Sequence, residues 1–316
     1  MTADRAGATE RTITLLGAPV EEGAGQLGCG MGPSALHVAG LQPALEKLGH
    51  TVIDRGNLAP DPMPGFALAG NTRNAPVIAG WTRALERAAF ETLQEGAFPI
   101  FLGGDHSLSM GSVAGVARHA AAERRPLFVL WLDAHADFNT PQTSPSGNMH
   151  GMSVAFFSGL AGFEGILPAS RPIVRPDRVS LLGVRSIDAD ERTALTEARV
   201  NVHDMRAIDE FGIVPIVRSL IETVGETDGL LHVSLDVDFL DPSIAPGVGT
   251  TVRGGATYRE AHLVMELLSD SGLVSSMDLV ELNPFLDMRG QSALLLVELV
   301  SSLFGQEIFE KPSRRV

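Results

Sequence analysis

Acidic residues and histidines recur in this chain at short, repeated spacings. Asp133, His135 and Asp137 form the run D-A-H-A-D, Asp236 and Asp238 form D-V-D, and Asp105-His106 follows Gly103-Gly104. Glu281 ends a further apolar stretch. Alternate residues of a strand share a face, so each run presents its donors together. Full extension would place Asp133 and Asp137 ~13 Å apart at ~3.3 Å per residue, too far for one small site, so the chain must curl beyond Asp133. Asn139-Thr140-Pro141 supplies turn residues directly afterwards. The two runs offer four carboxylates and one imidazole, and His106 adds a second imidazole. Four carboxylates in one cleft repel one another unless protonated or neutralised. Two divalent cations cancel them charge for charge. Oxygen and imidazole donors without thiolate suit Mn²⁺ best, with Zn²⁺, Co²⁺ and Fe²⁺ compatible with the same set. A pair of ions ~3.5–4 Å apart can generate hydroxide near neutral pH.

Such a cluster needs rigid elements to bring it together. The apolar runs 12–18, 98–107, 127–137, 179–186, 200–204, 230–238 and 274–283 read as strands, 98–107 running into a Gly-Gly turn and 127–137 ending in charge. Segments near 75–96, 107–119, 188–198, 205–224, 257–270 and 290–303 carry helical spacing. Continuous apolar strands alternating with helices signal a parallel sheet covered on both faces. The acidic and His residues fall at the C-terminal ends of the runs, where open α/β sheets bind ligands. No composition shift marks a boundary, so one catalytic domain over 1–316 is expected, with 1–10 as a flexible tail.

Composition narrows the function. The chain has 316 residues and a formal net charge of −14, from 24 Lys plus Arg against 38 Asp plus Glu. Nucleic-acid binding needs a basic footprint, so no nucleic-acid partner is expected. The apolar run 292–304 is broken by Glu298 and is too short to span a bilayer. Cys29 is the single cysteine, so neither an internal disulfide nor a Cys-based zinc site is available. With a polar start lacking a leader-like apolar stretch, this points to a cytoplasmic protein without membrane attachment. Cys29 itself reads as a small packed residue.

Three signatures, GGDHS (103–107), DAHAD (133–137) and SLDVDFLDP (234–242), resemble those of the ureohydrolase family, the arginases and agmatinases. The loop DFNTPQTSPSGNMHG (137–151), the segment GTTVRGGATYRE (249–260) and ELNPF (281–285) are similar to arginases in particular. The resemblance runs from about Gly30 to about Gly305. It implies a three-layer α/β/α fold with a central, mostly parallel sheet and two Mn²⁺ per subunit. It implies that Asp133 and Asp236 bridge the ions. His106 and Asp137 would complete one site, and His135 and Asp238 the other. The implied reaction is attack of a metal-bridging hydroxide on the guanidinium carbon of L-arginine, giving L-ornithine and urea, with Asp137 among the catalytic residues.

By the same resemblance Glu281 pairs with the substrate guanidinium and His150 shuttles a proton. Asn139, Ser146 and Asn148 bind the α-carboxylate, Asp188 serves the α-amino end, and Thr250 belongs to the substrate contacts. Ser186 stands where many arginases carry an acid. The other six histidines (His37, His50, His119, His203, His232 and His262) are read as surface or core residues. Within the enzyme class the alternatives are agmatinase and guanidinobutyrase, which lack the Ser146-Gly147-Asn148 loop. Outside it, the alternative is a non-catalytic regulator, which would usually have lost a ligand, His150 or Glu281. The Tyr258-Arg259-Glu260 segment matches one used in subunit contacts, implying a homo-oligomer, a trimer or hexamer.

Overall fold

The computed structural model describes residues 10–65 and 67–307. The tail expected over 1–10 therefore lies, Glu10 apart, outside the described residues. Among these, eight strands form one sheet: β1 (Thr12–Ala18), β2 (Thr51–Asn57), β3 (Phe98–Gly103), β4 (Leu127–Leu132), β5 (Val179–Val184), β6 (Asn201–Asp204), β7 (Leu230–Asp236) and β8 (Val274–Val280). Their order is β2-β1-β3-β8-β7-β4-β5-β6, and every neighbouring pair is parallel.

Burial on both faces explains why the central strands read as largely apolar runs. Along β4, Leu127, Val129 and Trp131 enter one apolar layer, while Phe128, Leu130 and Leu132 enter the other. The helices Ala75–Gln94, Ser109–Glu123 and Ser153–Phe157 cover the first layer. The helices Ile213–Glu226, Tyr258–Ser271 and Gln291–Leu303 cover the second. The result is the expected three-layer α/β/α arrangement.

Several elements differ from the sequence reading, the short helix Ser153–Phe157 among them. β2 was not expected; it is an edge strand bonded only to β1, and most of its side chains are exposed, so no apolar pattern marks it. The short helices Gly32–Val38 and Leu41–Lys47 also lack a periodic signal long enough to stand out. The helix expected over 205–224 is two helices, Met205–Phe211 and Ile213–Glu226, separated by Gly212 at φ 80° and ψ 155°. That backbone is closed to residues with a side chain, so the glycine both permits and enforces the break.

The strand order decides where chemistry can occur. β3, β8, β7 and β4 are consecutive across the middle of the sheet. With ~4.8 Å between neighbours, their four C-terminal ends span only ~14 Å. The chain leaving β3 needs Gly104, because a Cβ there would sit 1.7 Å from the Val20 carbonyl oxygen. This close approach lets Gly104 N–H donate to Ala18 O and Asp105 N–H donate to Val20 O, at 2.8 and 2.7 Å.

Candidate active site and metal centre

One local device shapes three of the four central strand ends. Asp105, Asp133 and Asp236 each use Oδ1 to accept the backbone N–H two residues on, from Ser107, His135 and Asp238, at 2.9, 2.6 and 2.8 Å. These Asx turns stop the strand and curl the chain. The i, i+2 donors are therefore not two teeth of one extended strand, as the spacing alone suggests. β4 has already ended at Leu132, and Asp236 is the last residue of β7. Curling is what makes Asp133 and Asp137 near neighbours.

The ligand candidates converge on His106 and His135. His106 Nδ1 lies 3.0 Å from Asp133 Oδ2, 3.1 Å from Asp236 Oδ2 and 3.3 Å from Asp137 Oδ2. His135 Nδ1 lies 3.0 Å from Asp238 Oδ2 and 3.5 Å from Asp133 Oδ1. Asp133 thus turns one oxygen toward each imidazole. Two donor groups follow, His106–Asp133–Asp137 and Asp133–His135–Asp238, sharing Asp133. Trp131 stacks flat on His106 at 3.8 Å between centroids and donates from Nε1 to Asp133 Oδ2 at 3.0 Å.

The electrostatics call for cations here. His106 Nδ1 is buried and, despite three carboxylate oxygens around it, makes no hydrogen bond. Burial pushes the Asp137 and Asp236 carboxyls well above the usual range, and neighbouring carboxylates, Asp133 for Asp137 and Asp238 and Asp133 for Asp236, add to the shift. Burial opposes charge on His135, but Asp133 and Asp238 override it and push the imidazole up to about 12. Protons alone would have to balance this cluster. Divalent ions fit the same donors: oxygens and imidazole nitrogens, convergent and buried, with no thiolate.

Beside the cluster, Glu281 follows β8 and is 3% exposed. Its Oε1 accepts His106 N–H at 2.9 Å and faces His150 Nδ1 at 2.8 Å. Burial works against the charge of both partners, yet each holds the other ionised: Glu281 is lowered and His150 raised. Glu281 and Asp137 both adopt left-handed backbone, φ 64° and 50°. Non-glycine residues pay for that conformation, and such strain clusters at functional sites. Each is held by backbone bonds: Glu281 N–H donates to Gly104 O, and Asp137 O accepts from Val154 and Ala155.

A cleft opens onto the cluster. It is lined by Asp133, His135, Asp137 and Asp236, and by His150, Asn139, Ser146, Asn148, Asp188 and Thr250. Asn139 is oriented at both ends: Nδ2 donates to Asp188 Oδ2 at 3.1 Å, and Oδ1 accepts from Thr143 at 2.9 Å. Ser146 Oγ accepts Asn148 N–H. Thr250 also donates to Asp238 Oδ2 at 3.1 Å, so it touches a ligand candidate as well as the cleft. Ser186 lines the mouth beside Asp188, which caps the helix Ala189–Ala198 in a capping box with Glu191.

All thirteen site residues expected from the sequence thus lie in or against this one cleft. Two further acids support them: sequence reasoning noted Asp105 without giving it a role, and passed over Glu191. Asp105 is fully buried and anchors the loop at Gly23-Ala24 by accepting both N–H groups. Glu191 is buried and accepts Phe138 N–H at 2.7 Å. Cys29 is buried, and burial together with Glu281 pushes its thiol up, away from nucleophilic use.

The fold and the cleft define a hydrolase-type site able to hold divalent ions at the carboxyl edge of a parallel sheet. A profile of the arginase family matches residues 11–305. The arginase of Brucella melitensis is 53% identical over 300 residues, covering 95% of this chain and 98% of that protein. The crystal structure of arginase from Bacillus cereus superposes with a TM-score of 0.87 at 37% identity, covering 95% of this chain and all of that one. An Entamoeba histolytica arginase solved in complex with L-ornithine gives a TM-score of 0.84 at 27% identity, covering 95% and 100%. The chain belongs to the arginase family.

Ion binding must displace the protons that this charge cluster attracts. Affinity should therefore rise with pH, because protons compete at low pH. Calorimetric titration of metal-free protein with Mn²⁺ in buffers of different ionisation heat should show net proton release, and weaker binding at about pH 6 than at about pH 8. Binding without proton release would contradict this charge balance.

Proposed function

We propose that this protein hydrolyses L-arginine to L-ornithine and urea using two Mn²⁺ per subunit. The observation that carries the reading is Asp133 facing both imidazoles, with Asp137 and Asp238 completing two donor groups, Asp236 beside His106, and Glu281 bonded to His106 and His150 at their edge. His106, Asp137, Asp133 and Asp236 would hold one ion, and His135, Asp238, Asp133 and Asp236 the other. Bound there, the pair would supply a hydroxide at neutral pH and a template for the electrophile.

The chain's own residues do the rest. Glu281, kept ionised by His150, would receive the planar guanidinium; carboxylate and guanidinium match as a bidentate pair. Its two hydrogen bonds both use Oε1, so Oε2 would take the guanidinium. His150, held cationic by Glu281, would donate to the departing amine. Asn139, Ser146 and Asn148 would bind the α-carboxylate with neutral donors, adding no charge to a crowded site. Asp188, oriented by Asn139, would take the α-amino group. Asn148 Oδ1 is buried without a hydrogen-bond partner, which further suits a ligand or water in the cleft.

The described residues contain no helix long and apolar enough to cross a membrane. We place the protein in the cytoplasm, as one catalytic domain, with its single buried cysteine reduced. A homo-oligomer, trimer or hexamer, accords with the exposure of Phe285, Met288 and Leu294 at 75%, 64% and 50%, apolar surface that a second copy could cover. Tyr258 donates to Glu298 and Glu260 caps its own helix, so both also have partners within the chain. A solution mass corresponding to one chain would exclude the oligomer.

Substrate choice follows from the two ends of the ligand. The guanidinium is common to arginine, agmatine and 4-guanidinobutyrate, so discrimination rests on the α-groups. Sites built to bond a group can reject its absence by ~10⁴–10⁵. Ser146, Asp188 and Thr250 are exposed, so water can stand in and lower that ceiling. A urea-release assay with Mn²⁺ should show arginine above agmatine in kcat/KM by at least ~10²-fold. Asn148→Ala should raise KM for arginine and narrow the gap. Equal hydrolysis of agmatine or 4-guanidinobutyrate would overturn the assignment.

A proton donor is worth roughly 10²–10⁴-fold in rate. His150→Ala should lose about that much kcat while metal analysis shows both ions retained. Parallel loss of metal would make His150 a ligand or a structural residue.

A further inference from the structure

We propose that Asp278 is a positioning residue for His106, acting through Ser109 and Ser234 to fix which ring nitrogen carries the proton. This rests on the reading of His106 as a metal ligand. Asp278 lies in β8 and pairs in register with Ser234 of β7, which in turn pairs with Trp131 of β4. All three are buried and form one row across the sheet beneath the ligand cluster.

The contacts run in one direction. Ser109 Oγ and Ser112 Oγ both donate to Asp278 Oδ2, at 2.6 and 2.8 Å. Ser109 Oγ lies 3.5 Å from Ser234 Oγ, and Ser234 Oγ lies 2.8 Å from His106 Nε2. On the far side, His232 Nε2 is 3.1 Å from the same Asp278 oxygen, and His232 Nδ1 bonds Ser276 at 2.8 Å. Asp278, His232, Ser109, Ser112, Ser234 and Ser276 are all fully buried. Apolar residues would fill this volume at lower cost than a carboxylate, so its presence there calls for a reason.

The reason is polarity. A carboxylate accepts only, and a hydroxyl has a single proton to give. Ser109 therefore spends its proton on Asp278 and can only accept from Ser234. Ser234 spends its proton on Ser109 and can only accept from His106. Nε2 must then carry the hydrogen, and Nδ1 is left with a bare lone pair. That is the buried nitrogen which meets three carboxylates and makes no hydrogen bond. Asp278, remote from the cleft, thereby presets the ring for a cation. Partners of this kind typically change metal affinity by ~10–100-fold when removed.

Two single-oxygen deletions separate positioning from packing. Ser234→Ala cuts the path to His106. Ser112→Ala removes a comparable buried bond to Asp278 but leaves Asp278–Ser109–Ser234 intact. Mn²⁺ affinity of the metal-free full chain, read from the EPR signal of free Mn²⁺, should fall ~10–100-fold for Ser234→Ala. It should stay near wild type for Ser112→Ala, although both lower the melting temperature of the metal-free protein. Ser234→Thr, which restores the hydroxyl, should recover the affinity. Asp278→Asn, which can offer an N–H to Ser109 and reverse the chain, should weaken binding like Ser234→Ala. Equal affinities for Ser234→Ala and Ser112→Ala, or no recovery with Ser234→Thr, would overturn the proposal while wild-type binding keeps the metal reading intact. A wild-type protein that fails to bind Mn²⁺ would overturn both.

Discussion

The mutual repulsion of buried carboxylates is the constraint on which this structure turns. Asp133, Asp137, Asp236, Asp238 and Glu281 each have at most 8% of their surface exposed and crowd around two imidazoles. Water cannot screen them, so the protein must supply counter-charge or accept protonation. Nearly every feature around the site answers that demand. Backbone N–H groups of Ala134, His135 and Asp238 point into the carboxylates, and the Trp131 indole and Thr250 hydroxyl add neutral donors. Glu281 is paired with His150. The carboxylate oxygens and imidazoles of His106 and His135 form donor groups that a divalent ion fits.

The placement of these groups is an outcome of strand order as much as of side-chain type. Ligand candidates from residues 106, 133–137 and 236–238, with Glu281 between, meet because β3, β8, β7 and β4 are neighbours although the chain visits them far apart. The Asx turns then convert strand ends into a cup. Asp133 and Asp236 do two jobs at once: Oδ1 closes the turn, and Oδ2 faces His106. This double use explains why the acidic residue comes first in both D-A-H and D-V-D.

Much of this was legible in the chain, for physical reasons. Central strands are buried on both faces, so 127–132 stands out as an unbroken apolar run and 230–236 as a mostly apolar one, and the charges at their ends mark the ligand edge. The curl after Asp133 was readable from distance alone. β2 was hidden because an edge strand faces water and carries no apolar pattern. The polar row of Asp278, Ser234 and His232 was hidden for the opposite reason. Each sits inside an apolar strand as an isolated polar residue, and only the register between β7 and β8 shows that they face one another. His232 was read as a core residue, which it is; its partner could not be named without the sheet.

The left-handed backbone at Asp137 and Glu281 has a consequence for how the protein can change. At both positions the backbone alone would favour glycine, and natural proteins gain stability readily from substitutions that relieve such strain. Here the strained residues are the ones whose carboxylates face His106 and His150. A selection for heat resistance alone would drift toward removing them and would yield sturdier, inert variants. Stability and activity are therefore opposed at these two positions, and selections for robustness need an activity screen alongside.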